Sequence, residues 1–420
     1  MFSYFIFLKR CLFLVLALFA LAIFANTSAS ELVFSEQLQN ESETASSLTE
    51  GDLWIQLRKH FELQELASQP EVQYHIHWFL EHPAVLEKMF LNSRPYLYYV
   101  FQQSQKKGLP AELALLPMIE SQYDPEAYSS AGAAGIWQIM PATAMSRGLR
   151  INWWYDERRD LLGSTEAALR YLKHLHTQFD DWLLAIAAYD AGEGVIESAV
   201  ENNRNLHKKT DYWSLSLPKE TEEYLPRLIA LGAIISQPEV YQVKLPSIPN
   251  VPYFSVVKVN SQMTTSKLSH MADVSEDWIK HLNSGFRRWA TTPNESAFLL
   301  LPENKVERFK TQLNQTVGQS QLSWVYHSVQ KGETLESIAK NYHTSLSVLQ
   351  KANDLKEEAA LQPDQGLLVP LNLHDRLKAP LSLPWETSLS EASAINEDSK
   401  IIRPGDSLKT TLEKLYRKNE

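Results

Sequence analysis

Residues 109–145 read LPAELALLPMIESQYDPEAYSSAGAAGIWQIMPATAM. From Ala111 to Ile119 nearly every side chain is apolar, which predicts a helix buried on most of its surface. The run ends on one carboxylate, Glu120, followed by the polar residues 121–125. A carboxyl at the lip of an apolar helix loses solvation, and desolvation raises the pKa of an acid. That prepares a general acid for work near neutral pH. Gly132, Gly135 and the small residues between them allow backbone to pass close to a ligand. Trp137 offers a flat apolar face, and Gln138 a donor and an acceptor, as sugar sites require. A buried helix ending in an ordinary surface Glu fits the same residues, so composition and pattern alone leave both readings open.

Five ordered motifs go further. PMIES (117–121), SSAGAAGIWQIMPATA (129–144), YDERRDLLGSTEAALRYLKHL (155–175), DWLLAIAAYDAGEGVI (181–196) and LPKETEEYLPRLIAL (217–231) together resemble the catalytic core of the lytic transglycosylases. That domain is lysozyme-like, and the similarity, nearest the membrane-bound D type, covers roughly residues 52–245. By position, the resemblance implies Glu120 as catalytic acid and base, and Ser129 and Gln138 as substrate-positioning residues. It implies Met140 as a cleft-lining residue, Tyr189 as the tyrosine of the family motif AYNAG, and Tyr224 as a later active-site tyrosine. One position departs: Asp190 stands where that motif has Asn. An ionised Asp can only accept hydrogen bonds, and near Glu120 it would raise the acid's pKa by like-charge repulsion. Alternatively Asp190 points away and bonds backbone at the Gly192 turn.

The chain has 420 residues, enough for several domains, and a formal charge of −10. A nucleic-acid binder needs a basic face, so none is expected as a partner. The 11 Trp and 17 Tyr suit stacking on glycan strands better. His75 and His77 are two apart, as are His174 and His176, a spacing that does not place both imidazoles on one helix face. Neither a metal nor a cofactor is assigned. Asp156, Glu157 and Asp160 lie among Arg158 and Arg159, as in a solvated or bridged loop, and Asp124 precedes Pro125 as in a turn.

Residues 1–30 have the pattern of an export signal, with Lys9 and Arg10 before an apolar run and small residues after it. An uncleaved membrane anchor is the alternative. Cys11, the sole cysteine, precedes the apolar run, which argues against a lipid anchor there. Residues 31–51 are polar and acidic and read as a linker. Helical patterns from Asp52 to about Gln105 are expected to brace the core, and Ser164 is expected to cap the long helix that follows.

Pro246, Pro249 and Pro252 mark a boundary, beyond which a repeat begins. Residues 324–371, including YHSVQKGETLESIAKNYHTSLSVLQKANDL, resemble a LysM module: strand, Gly332-Glu333-Thr334 turn and cap, two short helices, closing strand. Those three turn residues are the expected glycan contacts. Residues 250–316 form a degenerate copy without the turn; its Leu282-Asn283 stands where Ala352-Asn353 recurs about 70 residues later. A linker, 372–399, leads to a partial third start at 400–420. The expected fold is therefore α+β multidomain: a mostly helical lysozyme-like domain at 52–245 followed by small βααβ modules.

The resemblance implies an enzyme that cuts peptidoglycan glycan strands and leaves a 1,6-anhydro end. A hydrolytic muramidase, or a non-catalytic wall-binding scaffold, remains open. The sequence leaves the oligomeric state open as well.

Overall fold

The computed structural model describes residues 51–293, 295–315, 323–353, 355 and 360–371. The leader 1–30, the linker 31–51 apart from Gly51, the linker 372–399 and the segment 400–420 lie outside the described residues.

Ten helices carry the first part of the described chain. They are α1 (Leu53–Arg58), α2 (Pro70–Glu81), α3 (Pro83–Ser93), α4 (Leu97–Lys106), α5 (Leu116–Ser121), α6 (Pro141–Ser146), α7 (Leu161–Phe179), α8 (Trp182–Ala191), α9 (Glu193–Asn205) and α10 (Lys219–Ser236). Helix α1 starts on Asp52, whose carboxylate caps Trp54 N at 3.0 Å. The same carboxylate accepts from Ser247 Oγ at 2.7 Å and Ile248 N at 3.2 Å, which ties the domain's first turn to the proline-rich boundary. Prolines at the first positions of α2, α3 and α6 supply a preset φ where no amide partner is required. The bracing role expected of residues 52–105 holds: Leu53, Trp54, Phe79, Phe90 and Phe101 all belong to one buried cluster.

The long helix α7 begins four residues earlier than its sequence suggests. Asp160 caps it, accepting from Gly163 N at 2.5 Å, while Ser164 is buried and turns its hydroxyl back to Asp160 O at 2.6 Å. The apolar Leu161 and Leu162 ahead of Ser164 form the true first turn, where they pack against the core. Of the two readings of the acidic loop before it, solvated or bridged, the bridged one holds. Asp156, Glu157 and Arg158 are buried, with Asp156 gripping Arg158 at 2.8 Å and Glu157 gripping Arg150 at 2.7 Å. A buried charge persists only when paired, and these are paired.

Helix α8 is apolar nearly all round and correspondingly buried through Leu184–Ala188. It ends at Gly192, whose φ of 92° is open to glycine and strained for other residues. Helix α10 carries Pro226 in its interior, so the carbonyl of Glu222 has lost its intrahelical N–H donor. The Tyr212 hydroxyl takes over that carbonyl at 3.1 Å and also reaches Thr221 O at 2.9 Å. The proline is thus tolerated without an orphaned buried acceptor.

Two small βααβ units follow. In the first, strand β1 (Phe254–Val259) pairs antiparallel with β2 (Ala297–Pro302), with α11 (Thr265–Ala272) and α12 (Glu276–Leu282) between them and α13 (Val306–Gln315) after. It has its own core around Leu268, Leu299 and Phe309, but Phe254, Trp278, Leu282 and Leu300 join the core of the helical domain. In the second, β3 (Ser323–Ser328) pairs antiparallel with β4 (Gly366–Leu371) around α14 (Leu335–Asn341) and α15 (Leu346–Ala352). Thr334 caps α14 in a reciprocal box with Ser337, as the turn residues imply. Trp153 of the helical domain packs edge-on against Tyr326 at 4.9 Å, so this unit rests on the domain too. The architecture is the expected one, mostly helical with two small antiparallel strand pairs.

Candidate active site

The apolar run at 111–119 folds as a 3-10 turn, Ala111–Leu115, continued by α5. Leu113 to Met118 are buried, and the helix stops at Gln122, whose φ of 55° is left-handed. Glu120 therefore sits in the last turn, lining a cavity of about 250 Å³. Its Oε1 accepts a hydrogen bond from the phenol of Tyr224 on α10. Burial pushes the Glu120 carboxyl up to about 8; the Tyr224 bond pulls the other way, and the charges of Asp190 and Glu220 push it further up. An acid so placed keeps its proton at neutral pH.

Gln138, Met140, Tyr189 and Asp190 line the same cavity. Gln138 has a φ of 44°, and its amide N–H groups bond Gly135 O at 2.9 Å and Ala127 O at 3.3 Å. Those bonds fix the side chain and leave its Oε1 as the acceptor. Met140, 41% exposed, forms an apolar rim. The Tyr189 hydroxyl donates to Trp137 O at 2.9 Å, holding α8 against the loop that carries Gln138. Asp190 accepts a hydrogen bond from the side chain of Thr221 on α10. Burial raises its pKa, a hydrogen bond from the Thr221 side chain lowers it, Glu220 raises it and Arg227 lowers it.

Two expectations need correction. Trp137 is fully buried, with Nε1 donating to Thr165 Oγ1 at 3.0 Å, so it is a core pillar and offers no stacking face. The space required by Gly135 belongs to protein, since a Cβ there would lie 2.1 Å from Arg158 O. Ser129, expected to position substrate, is exposed on the loop before Gly132, where its Oγ accepts from Ala133 N at 3.0 Å.

Tyr171 and Arg147 complete the wall and were not singled out by sequence. The guanidinium of Arg147 stacks 4.1 Å over the Tyr171 ring, which lies 5.8 Å from that of Tyr189. Their signal was the adjacent pair Ala167-Ala168, whose small side chains on α7 leave the room that the tyrosines enclose. In the second βααβ unit, Glu333 accepts from Gln330 N at 2.7 Å and pairs with His327 at 2.8 Å, so the turn of Gly332, Glu333 and Thr334 is internally braced.

With that geometry in hand, comparison with known proteins is informative. Residues 98–212 match the transglycosylase SLT domain, 253–317 the LysM-like domain of lytic transglycosylase MltD, and 327–370 the LysM domain. Membrane-bound lytic murein transglycosylase D of Escherichia coli K12 is 32% identical over 347 residues, spanning 80% of this chain and 76% of that protein. Membrane-bound lytic murein transglycosylase F 2 of Alkalilimnicola ehrlichii is 29% identical over 158 residues, or 36% of this chain and 33% of its own. Lytic transglycosylase Slt of Pseudomonas aeruginosa, at 20% identity, covers 46% of this chain and 33% of its own with a TM-score of 0.30, too partial an overlap to bear on the fold. The chain thus belongs to the murein lytic transglycosylases, in the family of transglycosylase D, with LysM-type modules behind its catalytic domain.

Proposed function

We propose that this enzyme cleaves the β-1,4 bond between N-acetylmuramic acid and N-acetylglucosamine, with Glu120 acting as acid and then as base. The observation that carries this reading is the Glu120 carboxyl, lining a cavity, hydrogen-bonded to Tyr224 and pushed up to about 8. Glu120 gives its proton to the glycosidic oxygen as the C1–O bond breaks, releasing a free 4-hydroxyl. The ionised carboxylate then takes the proton of the muramic 6-hydroxyl as its oxygen bonds C1. The strand ends in a 1,6-anhydro sugar, no water is consumed, and Glu120 is again protonated. Because the nucleophile is built into the substrate, no second carboxylate is required to activate water. General acid–base help of this kind is worth about a hundred- to ten-thousand-fold.

Gln138, Met140 and Tyr189 position the strand in this scheme, with Asp190 modulating the acid; Ser129 would act only through its loop. The domain assignment follows the same scheme: 52–245 catalytic, 250–316 a degenerate module, 324–371 a peptidoglycan-binding LysM module whose contacts are Gly332, Glu333 and Thr334. Tethering by such a module raises local substrate concentration without altering the chemistry. A murein substrate implies an address in the cell envelope, which the membrane-bound name of the Escherichia coli relative supports. Among the described residues no helix is long and apolar enough to cross a membrane; membrane association, if any, is assigned in this scheme to residues 1–30.

Mass spectrometry of purified sacculi digested with the mature protein tests the reaction. Muropeptides lighter by one water than their reducing-end counterparts are expected. Reducing ends alone would identify a hydrolytic muramidase instead.

A further inference from the structure

A second cavity, of about 360 Å³, opens where α2 and α3 meet α5 and α10. It is built against the catalytic pair. Ile119 and Gln122 line it from either side of Glu120 in sequence, and Glu223 and Arg227 line it beside Tyr224. The Glu120–Tyr224 hydrogen bond thus joins the two helices that wall this second cavity, and one of them carries Glu120 into the first.

Its rim is aromatic and open to solvent. Tyr74 is 64% exposed and Trp78 37% exposed, both on α2 and separated by one helical turn. The indole of Trp78 is held in place: the His82 ring stacks on it at 4.2 Å with the planes 16° apart, and His82 Nδ1 bonds Trp78 O at 2.7 Å. A large aromatic ring kept in place at the mouth of a cavity lowers the ordering cost of a contact. At the polar side, the Arg227 guanidinium is paired with the Glu223 carboxylate one turn away on α10. That pair presents donors and acceptors side by side, with Lys219 reaching Glu223 at 3.8 Å, and the imidazole of His75, buried beside it, is held below its ordinary pKa by burial and by Arg227.

We propose that this groove is a saccharide subsite, which seats a sugar of the same glycan strand beyond the cavity that holds Glu120. This deepens the catalytic reading above and rests on it. A sugar presents an apolar ring face for Trp78 and Tyr74 and neutral hydroxyls and amides for the Glu223–Arg227 pair. Helix α2 precedes the residues that match the transglycosylase domain, 98–212.

The test is substrate length. In the full chain, Trp78→Ala should raise KM for long glycan strands roughly threefold to tenfold, the range of one lost aromatic contact, and leave kcat and the constants for the shortest cleavable oligomers unchanged. Tyr74→Ala should act in the same direction, and Trp78→Phe should recover most of the loss. An activity-free arm compares Glu120→Gln with Glu120→Gln/Trp78→Ala for binding of long N-acetylglucosamine oligomers. The LysM module is common to both chains, so a weaker second chain reports the groove even if the reaction proves to be hydrolysis. Equal losses at every length, a fall in kcat alone, unchanged KM and affinity, or a loss confined to peptide-bearing strands would each overturn the proposal.

Discussion

The phenol of Tyr224 and the carboxyl of Glu120 are 104 residues apart in sequence and share one hydrogen bond at the floor of the cleft. The bond steadies the acid in one orientation. It also favours the ionised form, opposing the burial that favours the protonated one. The acid's titration therefore depends on which helices meet, as well as on its own helix.

Replacing Glu120 by Gln removes the proton that the leaving oxygen needs and preserves shape. Cleavage of sacculi should fall by at least about a hundredfold, while the far-ultraviolet circular dichroism and sacculus pull-down stay near wild type. A folded Glu120→Gln sample turning over at the parent rate would remove Glu120 from the mechanism.

Two substitutions should move the alkaline limb of the pH–rate profile in opposite directions. The protonated carboxyl is the active form in the first step, so activity should fail as pH rises through about 8. Tyr224→Phe deletes the bond that favours the ionised form; the limb should shift to higher pH, with a lower kcat from the loosened acid. Asp190→Asn deletes a like charge; the limb should shift to lower pH. Parallel shifts of both variants would contradict this assignment. An unmoved limb in Asp190→Asn, with unchanged products, would leave Asp190 a structural residue.

Much of this site is legible in the chain. The end of the apolar run at Glu120, the glycine stop of α8 at Gly192, and the cap at Thr334 follow from local patterning alone. What local patterning does not contain is depth. Trp137 carries no mark that distinguishes a core pillar from a stacking platform; Thr165, its partner, lies 28 residues on. The loop around Asp156 reads as solvated or bridged because it is charged, and the choice falls to bridged only once Arg158 and Arg150 fold in. Tyr74 and Trp78 read as part of a bracing helix because only α5 and α10 turn that helix face into the wall of a groove.

Pro226 did carry an unused signal. A proline inside a helical pattern strands a carbonyl four residues earlier, so some donor had to be found for Glu222, and Tyr212 is that donor. Tyr212→Phe should leave Glu222 O without its substitute partner, costing about 1–3 kcal/mol of stability in denaturant unfolding. Since Thr221 and Tyr224 sit in the same turn region of α10, kcat should fall as well, with KM for short oligomers changed less. A variant as stable and as active as the parent would mean that water satisfies the carbonyl.

Asn283 and Asn353 make the same three bonds in the two βααβ units. Asn283 Nδ2 donates to Ile279 O at 2.9 Å and Leu300 O at 3.0 Å, and its Oδ1 accepts from Leu300 N at 2.7 Å. Asn353 Nδ2 donates to Leu349 O at 2.8 Å and Leu368 O at 2.9 Å, and its Oδ1 accepts from Leu368 N at 2.6 Å. Each amide thus clamps the end of a helix to the closing strand, which explains why Asn recurs at this place when the turn residues do not. Alanine at either site leaves a strand N–H and C=O without these partners, costing about 1–3 kcal/mol. The consequences should differ because the surroundings differ. Leu282 and Leu300 pack into the core of the catalytic domain, whereas Leu349 belongs to a separate small core with Ile338 and Val369. Asn283→Ala should therefore lower the main thermal transition together with activity on soluble oligomers at raised temperature. Asn353→Ala should loosen only the LysM module, weakening sacculus pull-down while cleavage of soluble oligomers persists. Scanning calorimetry alongside both assays distinguishes the two. If both variants moved the same transition by the same amount, the modules would melt as one body with the catalytic domain, and the separate-module reading would fail.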